Sequence, residues 1–245
     1  MFLVHLMEFC LLFMTGRDLQ QISGNDTFKA GYLSSREIKE LVPSFELQQK
    51  YHDLGVPTIE DILMFISGSV REVILDVKVG PPLYEKGLAG NVVSSYTKLG
   101  CKNCVVWAKS DNIPRDVLRL APDATINSGP TKCTNDGALV AGILSEQVGY
   151  IVMMDPSTGT RTQLLRMRGA WVVGDYHPLI DEKLVKVLHA RNKKVYAWTV
   201  DNEESMKKML IERVDAIITS NPSVLKRVMQ DAKTQCLEDG FSLSA

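Results

Sequence analysis

Apolar and polar residues alternate along the second half of the chain in blocks that predict strands followed by helices. An apolar, β-branched run at 195–200 predicts a buried strand, and apolar residues at helical spacing follow over 203–212. A second apolar run at 215–219 predicts another strand, and Asn221-Pro222 is typical of the start of a further helix. Strands that alternate with helices over short connections indicate βα units and a parallel sheet.

The same alternation continues upstream. Strands are predicted near residues 73, 104, 124, 171, 195 and 215, about six in all, and helices over 111–120 and 181–191. Thr58 followed by Asp61 predicts a capping box at the start of another helix. Within 129–170 the pattern allows a helix at 137–147 and a strand at 150–154, which we interpret as an excursion before the next strand of the sheet.

The first fourteen residues are largely apolar but include His5 and Glu8. They are too short to cross a bilayer, which takes about 20 residues. They also lack the basic start and the small-residue cleavage site of a secretory signal. We therefore expect these residues to form a buried strand, or to be a stretch displaced from its usual context. The sequence does not determine the cellular compartment. The expected division is 1–24 as a remnant of an N-terminal strand region, 25–230 as an α/β barrel portion and 231–245 as a tail.

Composition narrows the class of protein. A chain of 245 residues suits one large α/β domain. The 28 basic and 29 acidic residues nearly balance and form no long basic run, which argues against nucleic acid as the main partner. Five cysteines, an odd and low number, indicate no disulfide framework. We interpret the lone Cys101-x-x-Cys104 as an incidental pair, because no second pair stands at zinc-site spacing.

The most informative chemistry lies at the end of the strand near residue 73. Because side chains alternate along a strand, one face carries Val73, Leu75 and Val77, and the other carries Ile74, Asp76 and Lys78. An acid and a lysine on an otherwise apolar strand are costly to bury without partners. Two interpretations stay open: a metal-binding carboxylate beside a phosphate-binding cation, or a structural ion pair.

Trp198 lies near the carboxyl end of its predicted strand, the end that carries the site in parallel α/β folds. The alternative is that its indole simply fills the core. His177 also follows a strand at this end, but it precedes Pro178, and we assign it a structural role in a turn.

Several segments resemble the glycerophosphodiester phosphodiesterase family. YAWTVDN…RVDAIITSNP, which contains Trp198, resembles the family's closing pattern WTVN…GVDGIITDRP. VPTIEDIL resembles IPTLEEVL, RDLQQISG resembles the end of HDRDLQRISG, and VILDVK resembles LNIEIK, with Asp76 in the place of the usual glutamate. Arg213 stands where the family usually has glycine, and Ser220 stands where it usually has aspartate.

This resemblance implies a (β/α)8 TIM barrel of which about strands 3–8 are present and the first two are missing. It implies hydrolysis of a small-molecule glycerophosphodiester to sn-glycerol 3-phosphate and an alcohol, with Ca²⁺ or Mg²⁺ as the cofactor. Asp76 is then one of three carboxylates that bind the metal ion, Lys78 faces the phosphate, and Trp198 forms a wall of the glycerol pocket.

The departures from the family bear on activity. The family's HRG motif is absent, as is the Glu-x-Asp pair of metal ligands, and Thr15-Gly16 occupies the place of the second catalytic histidine and its aspartate. No catalytic residue of the family is therefore intact, and we expect an N-terminally incomplete or degenerate member that hydrolyses its substrate poorly or not at all. Two alternatives stay open: a binding protein without turnover, and an unrelated barrel lyase or aldolase that uses Lys78 in a Schiff base.

Overall fold

The protein is described here from a computed structural model. The described residues are 58–66, 68–80, 84–120, 148–155 and 157–239, with the short segments 4–6, 9–12, 32–34 and 36–37 and the single residues 20 and 27. The expected strand at 124–128, the expected helix at 137–147 and the Thr15-Gly16 pair lie outside these residues.

Eight strands are described, and all but the first run parallel to their neighbours. They are β1 (Val4–Leu6), β2 (Phe9–Leu12), β3 (Glu72–Val77), β4 (Cys104–Ala108), β5 (Gly149–Val152), β6 (Val172–Tyr176), β7 (Lys194–Trp198) and β8 (Ala216–Ile217). β1 pairs antiparallel with β2, and β2 then pairs in parallel with β3. The strands form two four-stranded sheets in chain order, which a parallel bridge between Val106 and Val148 joins. Residues 4–6 and 9–12 of the apolar N-terminal run thus form strands, which agrees with the strand expected there.

The joined sheets curve strongly. The Tyr196 hydroxyl of β7 donates a hydrogen bond to the Glu72 carboxylate of β3, although four strand spacings separate these strands in the sheet order. In a flat sheet four spacings amount to about 19 Å, at about 4.8 Å each. Only a sheet that curls around an interior lumen brings the two side chains together, and the lumen is lined by Ile74, Val105, Trp107, Ile151, Val172, Tyr196, Ala216 and Ile218.

Helices cover the outer face of the sheet. They are α1 (Ile59–Ile66), α2 (Leu88–Lys98), α3 (Asn112–Leu120), α4 (Glu182–His189), α5 (Glu203–Ile211) and α6 (Pro222–Glu238), with a 3₁₀ turn at His177–Leu179. The larger apolar cluster lies between the helices and the sheet, and it contains Val73 and Leu75 while Ile74 faces the lumen. The face assignment made from the alternation along β3 is therefore confirmed for these three residues.

Local sequence signals account for several helix ends. The Thr58 amide donates to Asp61 Oδ2 over 2.8 Å, and the Asp61 amide donates to Thr58 Oγ1 over 3.3 Å, which confirms the capping box before α1. Asn202 caps α5 by accepting from the Ser205 amide. Of the described helices, none combines the length and the apolar composition that crossing a lipid bilayer requires. Helix α6 continues through residue 231, the expected start of the tail.

The interpretation of 150–154 as an excursion was wrong. Strand β5 pairs in parallel with β6 from Gly149 to Val152, next to the bridge that joins it to β4. All four of its residues are buried, two against the lumen side and two against the helices. Such a strand shows no alternation of polar and apolar residues. The sequence pattern therefore did not predict that this strand belongs to the sheet.

The cysteine interpretation was also wrong. Cys101 and Cys104 form a disulfide bond at the start of β4, with their Cα atoms 5.6 Å apart. A turn at Lys102-Asn103 brings the two cysteines within disulfide range, and both are buried. The odd, low number of cysteines did not indicate this local pairing.

Two non-glycine residues adopt left-handed backbone conformations just after helices. Asn192 follows α4 with φ 54°, and Arg213 follows α5 with φ 59°. Asn192 tolerates this conformation, as expected of a residue in the place of a glycine C-cap. At Arg213, by contrast, a Cβ atom is strained, and this is the position where the family pattern quoted above has glycine.

We expect Arg213→Gly to raise the free energy of unfolding by about 0.5–1 kcal/mol, because glycine relieves the left-handed strain and the exposed arginine side chain adds little packing. Chemical denaturation measures the change. The matched control is Glu212→Gly, one residue earlier at φ −69°, which should instead lower stability by a similar amount. Equal effects of the two substitutions would contradict the assignment of strain to residue 213.

Candidate functional site

Asp76 and Lys78 lie together where β3 ends. Lys78 Nζ is 2.5 Å from Asp76 Oδ2, and the lysine side chain is 44% exposed while the aspartate side chain is only 10% exposed. The aspartate is on the same strand face as Ile74, which packs in the lumen. The pair therefore lies at the carboxyl end of the lumen, which we call the mouth.

Trp198 ends β7 and packs partly buried against the lumen cluster. Its ring lies 5.6 Å from the ring of Tyr176, the last residue of β6, and Tyr176 in turn lies 5.5 Å from the ring of His177. Burial lowers the pKa of His177, and Lys208 lowers it further. Three neighbouring aromatic rings thus border one side of the mouth.

A second indole, that of Trp107, lies deeper in the lumen. Trp107 lies opposite Asp76 in the pairing of β3 with β4, and it is 2% exposed. Its ring covers Gly174 of β6 so closely that a Cβ atom there would lie 2.5 Å from the indole. Because Gly174 has no side chain, this indole can lie across the lumen.

Unsatisfied polar atoms concentrate at this place. Within the described ranges, five buried side-chain polar atoms have no hydrogen-bond partner, and three of them are Asp76 Oδ1, Trp107 Nε1 and Trp198 Nε1. One is an acceptor and two are donors, and all three residues lie on the lumen face of their strands. Buried polar atoms are nearly always paired in native proteins, so these three atoms are positions that an ordered water or a ligand would pair.

The fit of a divalent cation at the mouth is poor. Ca²⁺ takes six to eight oxygen ligands, and Mg²⁺ demands near-octahedral geometry. Asp76 offers one unpartnered oxygen, since Lys78 holds the other. In the part of the chain that the structure describes, no group of three or more His, Cys, Asp or Glu side chains is placed to bind a metal ion. We therefore derive no step of catalysis through a metal ion.

Below the mouth, Tyr196 and Glu72 form a hydrogen bond across the lumen. Burial raises the pKa of the Glu72 carboxyl, while its hydrogen bond from Tyr196 and the charge of Lys194 oppose that shift. The Tyr196 ring also packs edge-on against Trp107, with 6.5 Å between ring centres. This layer forms the floor on which a ligand at the mouth would rest.

Asp175 is a buried acid on the other face of β6. It is fully buried, and neither carboxyl oxygen has a hydrogen-bond partner among the described residues. Burial raises its pKa to about 7, against the opposing charges of Arg161 and Arg166. Its strand neighbours Val152 and Ala197 belong to the outer apolar cluster, so Asp175 lies outside the lumen and apart from the mouth.

The sequence singled out Asp76, Lys78 and Trp198, and the structure places all three where parallel strands end. It brings Asp76 and Lys78 into direct contact, while the described contact of Trp198 is with Tyr176. Trp107 was missed. All five residues of β4 are buried, so the alternation that revealed Asp76 is absent there. The only available signal was a large aromatic residue with a polar N–H near the end of a buried strand.

Comparisons with known proteins show what the chain is similar to. Residues 142–224, which contain Trp198 and the strands from β5 to β8, match the model of the glycerophosphoryl diester phosphodiesterase family. Over 233 residues the chain is 49% identical to "Glycerophosphodiester phosphodiesterase GDPD4" of Arabidopsis thaliana, an alignment that covers 95% of this chain and 64% of the relative. The chain thus spans somewhat less than two thirds of that relative's length.

Solved structures share the fold. A putative glycerophosphodiester phosphodiesterase from Galdieria sulphuraria superimposes with a TM-score of 0.63 at 19% identity, over 90% of this chain and 80% of the other. An Oleispira antarctica phosphodiesterase, in complex with the product sn-glycerol-3-phosphate, gives a TM-score of 0.55 at 17% identity, over 80% of this chain and 70% of the other. The fold is accordingly of the TIM-barrel type that these structures share.

The buried Asp175 carboxyl should make stability depend on pH. Its folded-state pKa of about 7 lies above the ordinary value of 3.8, so the folded protein keeps a proton that the unfolded chain has lost. The contribution of Asp175 to stability therefore falls as the pH rises between these values. Asp175→Asn removes this dependence, and its stability relative to the unmodified protein should rise by about 2–3 kcal/mol from about pH 5 to about pH 8.

Thermal or urea unfolding across this pH range provides the measurement. Asp231→Asn, at an exposed acid on α6, serves as the matched control and should show a difference that does not vary with pH. If the two variants show the same pH dependence, Asp175 is not protonated in the folded protein at neutral pH.

Proposed function

Because the chain belongs to the glycerophosphodiester phosphodiesterase family, we propose that the mouth of its barrel binds the glycerophosphate part of a glycerophosphodiester. We further propose that the chain carries about strands 3–8 of the family barrel and that the family reaction is strongly impaired in it. That reaction is hydrolysis to sn-glycerol 3-phosphate and an alcohol. The family assignment replaces the hypothesis of an unrelated lyase or aldolase.

One observation supports the binding proposal most directly: the buried, unpartnered atoms Asp76 Oδ1, Trp107 Nε1 and Trp198 Nε1. A glycerol moiety carries hydroxyl groups that both donate and accept hydrogen bonds. One hydroxyl can donate to the carboxylate, and other oxygens can accept from the two indole N–H groups. Apolar indole faces beside these atoms suit the C–H surface of the same moiety.

Lys78 supplies the charge for the phosphate. Its ammonium is the more exposed member of the ion pair with Asp76, so it can face a phosphate oxygen at the rim while Asp76 faces inward. A charge-assisted hydrogen bond of this kind is about twice as strong as a neutral one. The residues of the mouth then contact different parts of the ligand. Lys78 binds the phosphate, Asp76 and Trp107 bind hydroxyl groups, and Trp198 covers the glycerol carbons.

The proposed impairment rests on residues that the sequence lacks. None of the four histidines is followed by arginine, and no Glu-x-Asp occurs among the 245 residues. The family resemblance assigns proton transfer to two histidines and metal binding to three carboxylates, of which Asp76 alone has a counterpart. We infer that Ca²⁺ or Mg²⁺ binds weakly, and that the chain acts mainly as a binder of glycerophosphate compounds.

Binding without turnover is the expected result for the purified chain. We expect sn-glycerol 3-phosphate to bind in calorimetry, whereas hydrolysis of glycerophosphocholine with Ca²⁺ or Mg²⁺ should be about 10⁴-fold or more below that of a family member with both histidines. The loss of each acid–base group costs about 10²–10⁴-fold. Trp198→Phe should weaken binding by about 3–10-fold, because it removes one hydrogen-bond donor and keeps an aromatic wall.

The matched control is Trp171→Phe. Trp171 precedes β6 at the opposite end of the lumen, so the same exchange there should leave glycerol 3-phosphate binding unchanged. Metal-dependent release of glycerol 3-phosphate that Lys78→Gln abolishes would refute the impairment. If Trp198→Phe and Trp171→Phe have equal effects on binding, the proposed position of the ligand is wrong.

A further inference from the structure

A second candidate site lies at the amino-terminal end of the strands. A cavity of about 540 Å³ is lined there by Leu165, Arg168, Arg191 and Lys193. Arg168 lies four residues before β6, and Lys193 immediately precedes β7. Because these strands are parallel, both residues lie at the end of the sheet that faces away from the mouth. The cavity is thus separate from the proposed glycerophosphate site.

Three of these four side chains are cations, those of Arg168, Arg191 and Lys193. In the ranges that the structure describes, no carboxylate lies within ion-pair distance of Arg168, Arg191 or Lys193. Like charges around one cavity repel each other, and among the described residues only the contacts of Lys193 with two backbone carbonyl groups and with the Tyr150 ring offset the repulsion. An anion in the cavity would remove this cost.

Arg166, two residues before Arg168, shows what a structural arginine looks like in the same loop. Its guanidinium forms two hydrogen bonds with Asp111, over 2.7 and 2.9 Å, and donates to the Ile151 carbonyl oxygen over 2.6 Å. It also lies over the ring of Tyr150. Since Arg166 anchors the loop in this way, the fold does not need Arg168 for that purpose.

Lys193 provides a fixed charge in the wall of the cavity. Its side chain is buried, and its ammonium donates to the carbonyl oxygens of Met167, over 2.9 Å, and of Ala170. An ammonium has three donors, so one remains after these two bonds. Burial lowers the pKa of Lys193, as expected for a buried cation whose charge no acid balances. The loop before β6 is thus held in place around the positive charge.

The size and chemistry of the cavity define a class of ligand. A cavity of this size, partly open to solvent, has room for a small molecule that carries more than one phosphate group. Arginine guanidinium groups match phosphate oxygens in a bidentate manner. Three of the lining residues described carry a positive charge and one, Leu165, is apolar, so the charge of the cavity favours an anionic ligand.

We propose that this cavity binds a small soluble molecule with a diphosphate group or two phosphate groups, held by Arg168, Arg191 and Lys193. The site is independent of the glycerophosphate site at the mouth. A ligand there would bridge the loop before β6 and the end of α4, so binding would stabilise the folded protein.

Calorimetry with inorganic pyrophosphate, in EDTA to exclude metal complexes, tests the proposal. The unmodified chain should bind with an affinity that falls as salt rises. The double variant Arg168→Gln/Arg191→Gln should bind about tenfold or more weakly, because it removes two of three charges and both arginines are exposed enough to be replaced without loss of packing. Lys193 stays unchanged, since it also holds the loop.

The matched control, Lys183→Gln/Lys207→Gln, removes the same charge from exposed positions on α4 and α5 and should leave pyrophosphate affinity unchanged. Both double variants should bind glycerol 3-phosphate as the unmodified chain does, which separates this site from the mouth. Absence of pyrophosphate binding, or an equal loss in both double variants, would overturn the proposal. So would binding to vesicles that contain phosphatidic acid without binding to pyrophosphate, because the source of the phosphate would then be a lipid surface.

Discussion

The curling of one parallel sheet around a filled lumen is the constraint on which the other features depend. Tyr196 of β7 reaches Glu72 of β3 only because the intervening strands bend into an arc. The interior then has to be filled, and the large indole of Trp107 fits only because Gly174 has no side chain. Loss of the contact between Tyr196 and Glu72, or of that between Trp107 and Gly174, would alter the layer of side chains beneath the mouth. The shape of the site therefore depends on how the lumen is packed.

The two ends of the strands present different chemistry. At the mouth, Asp76 neutralises Lys78, and the unsatisfied groups are single hydrogen-bonding atoms beside aromatic rings. That environment suits a polar but compact ligand with hydroxyl groups. At the opposite end, Arg168 and Arg191 face a cavity without an acidic partner among the described residues. That environment suits an ion of high negative charge. Hydrogen bonds and aromatic rings would thus recognise the ligand at the mouth, and positive charges would recognise the ligand at the opposite end.

Much of the fold could be predicted from the sequence because local physical rules dominate there. Alternation along β3 placed Ile74 on the face opposite to Val73 and Leu75, and Thr58 with Asp61 marked the start of α1. Arg213 stands where the family pattern has glycine, and its backbone is in the left-handed conformation that glycine favours. In each case the signal and the structure involve residues that are near neighbours in the chain.

Features that depend on distant residues could not be predicted. β5 is buried on both faces, so its pattern did not distinguish a sheet strand from an excursion. Trp107 gains its position from Gly174, which comes from a strand two places away in the sheet order. The charge cluster with Lys193 likewise arises from two separate loops. The disulfide bond between Cys101 and Cys104 is a local feature, but the spacing alone does not distinguish a bonded pair of cysteines from an incidental one.

The central claim is that Asp76, Lys78 and Trp198 line one ligand-binding mouth. The chain has three tryptophans, and all three belong to the lumen or pack against it, so ¹⁹F NMR of protein labelled with 5-fluorotryptophan tests the claim directly. Upon titration with sn-glycerol 3-phosphate, the resonances of Trp198 and Trp107 should shift with one shared saturation curve, while that of Trp171 stays in place. A shift of Trp171 alone, or no shift at Trp198, would contradict the account.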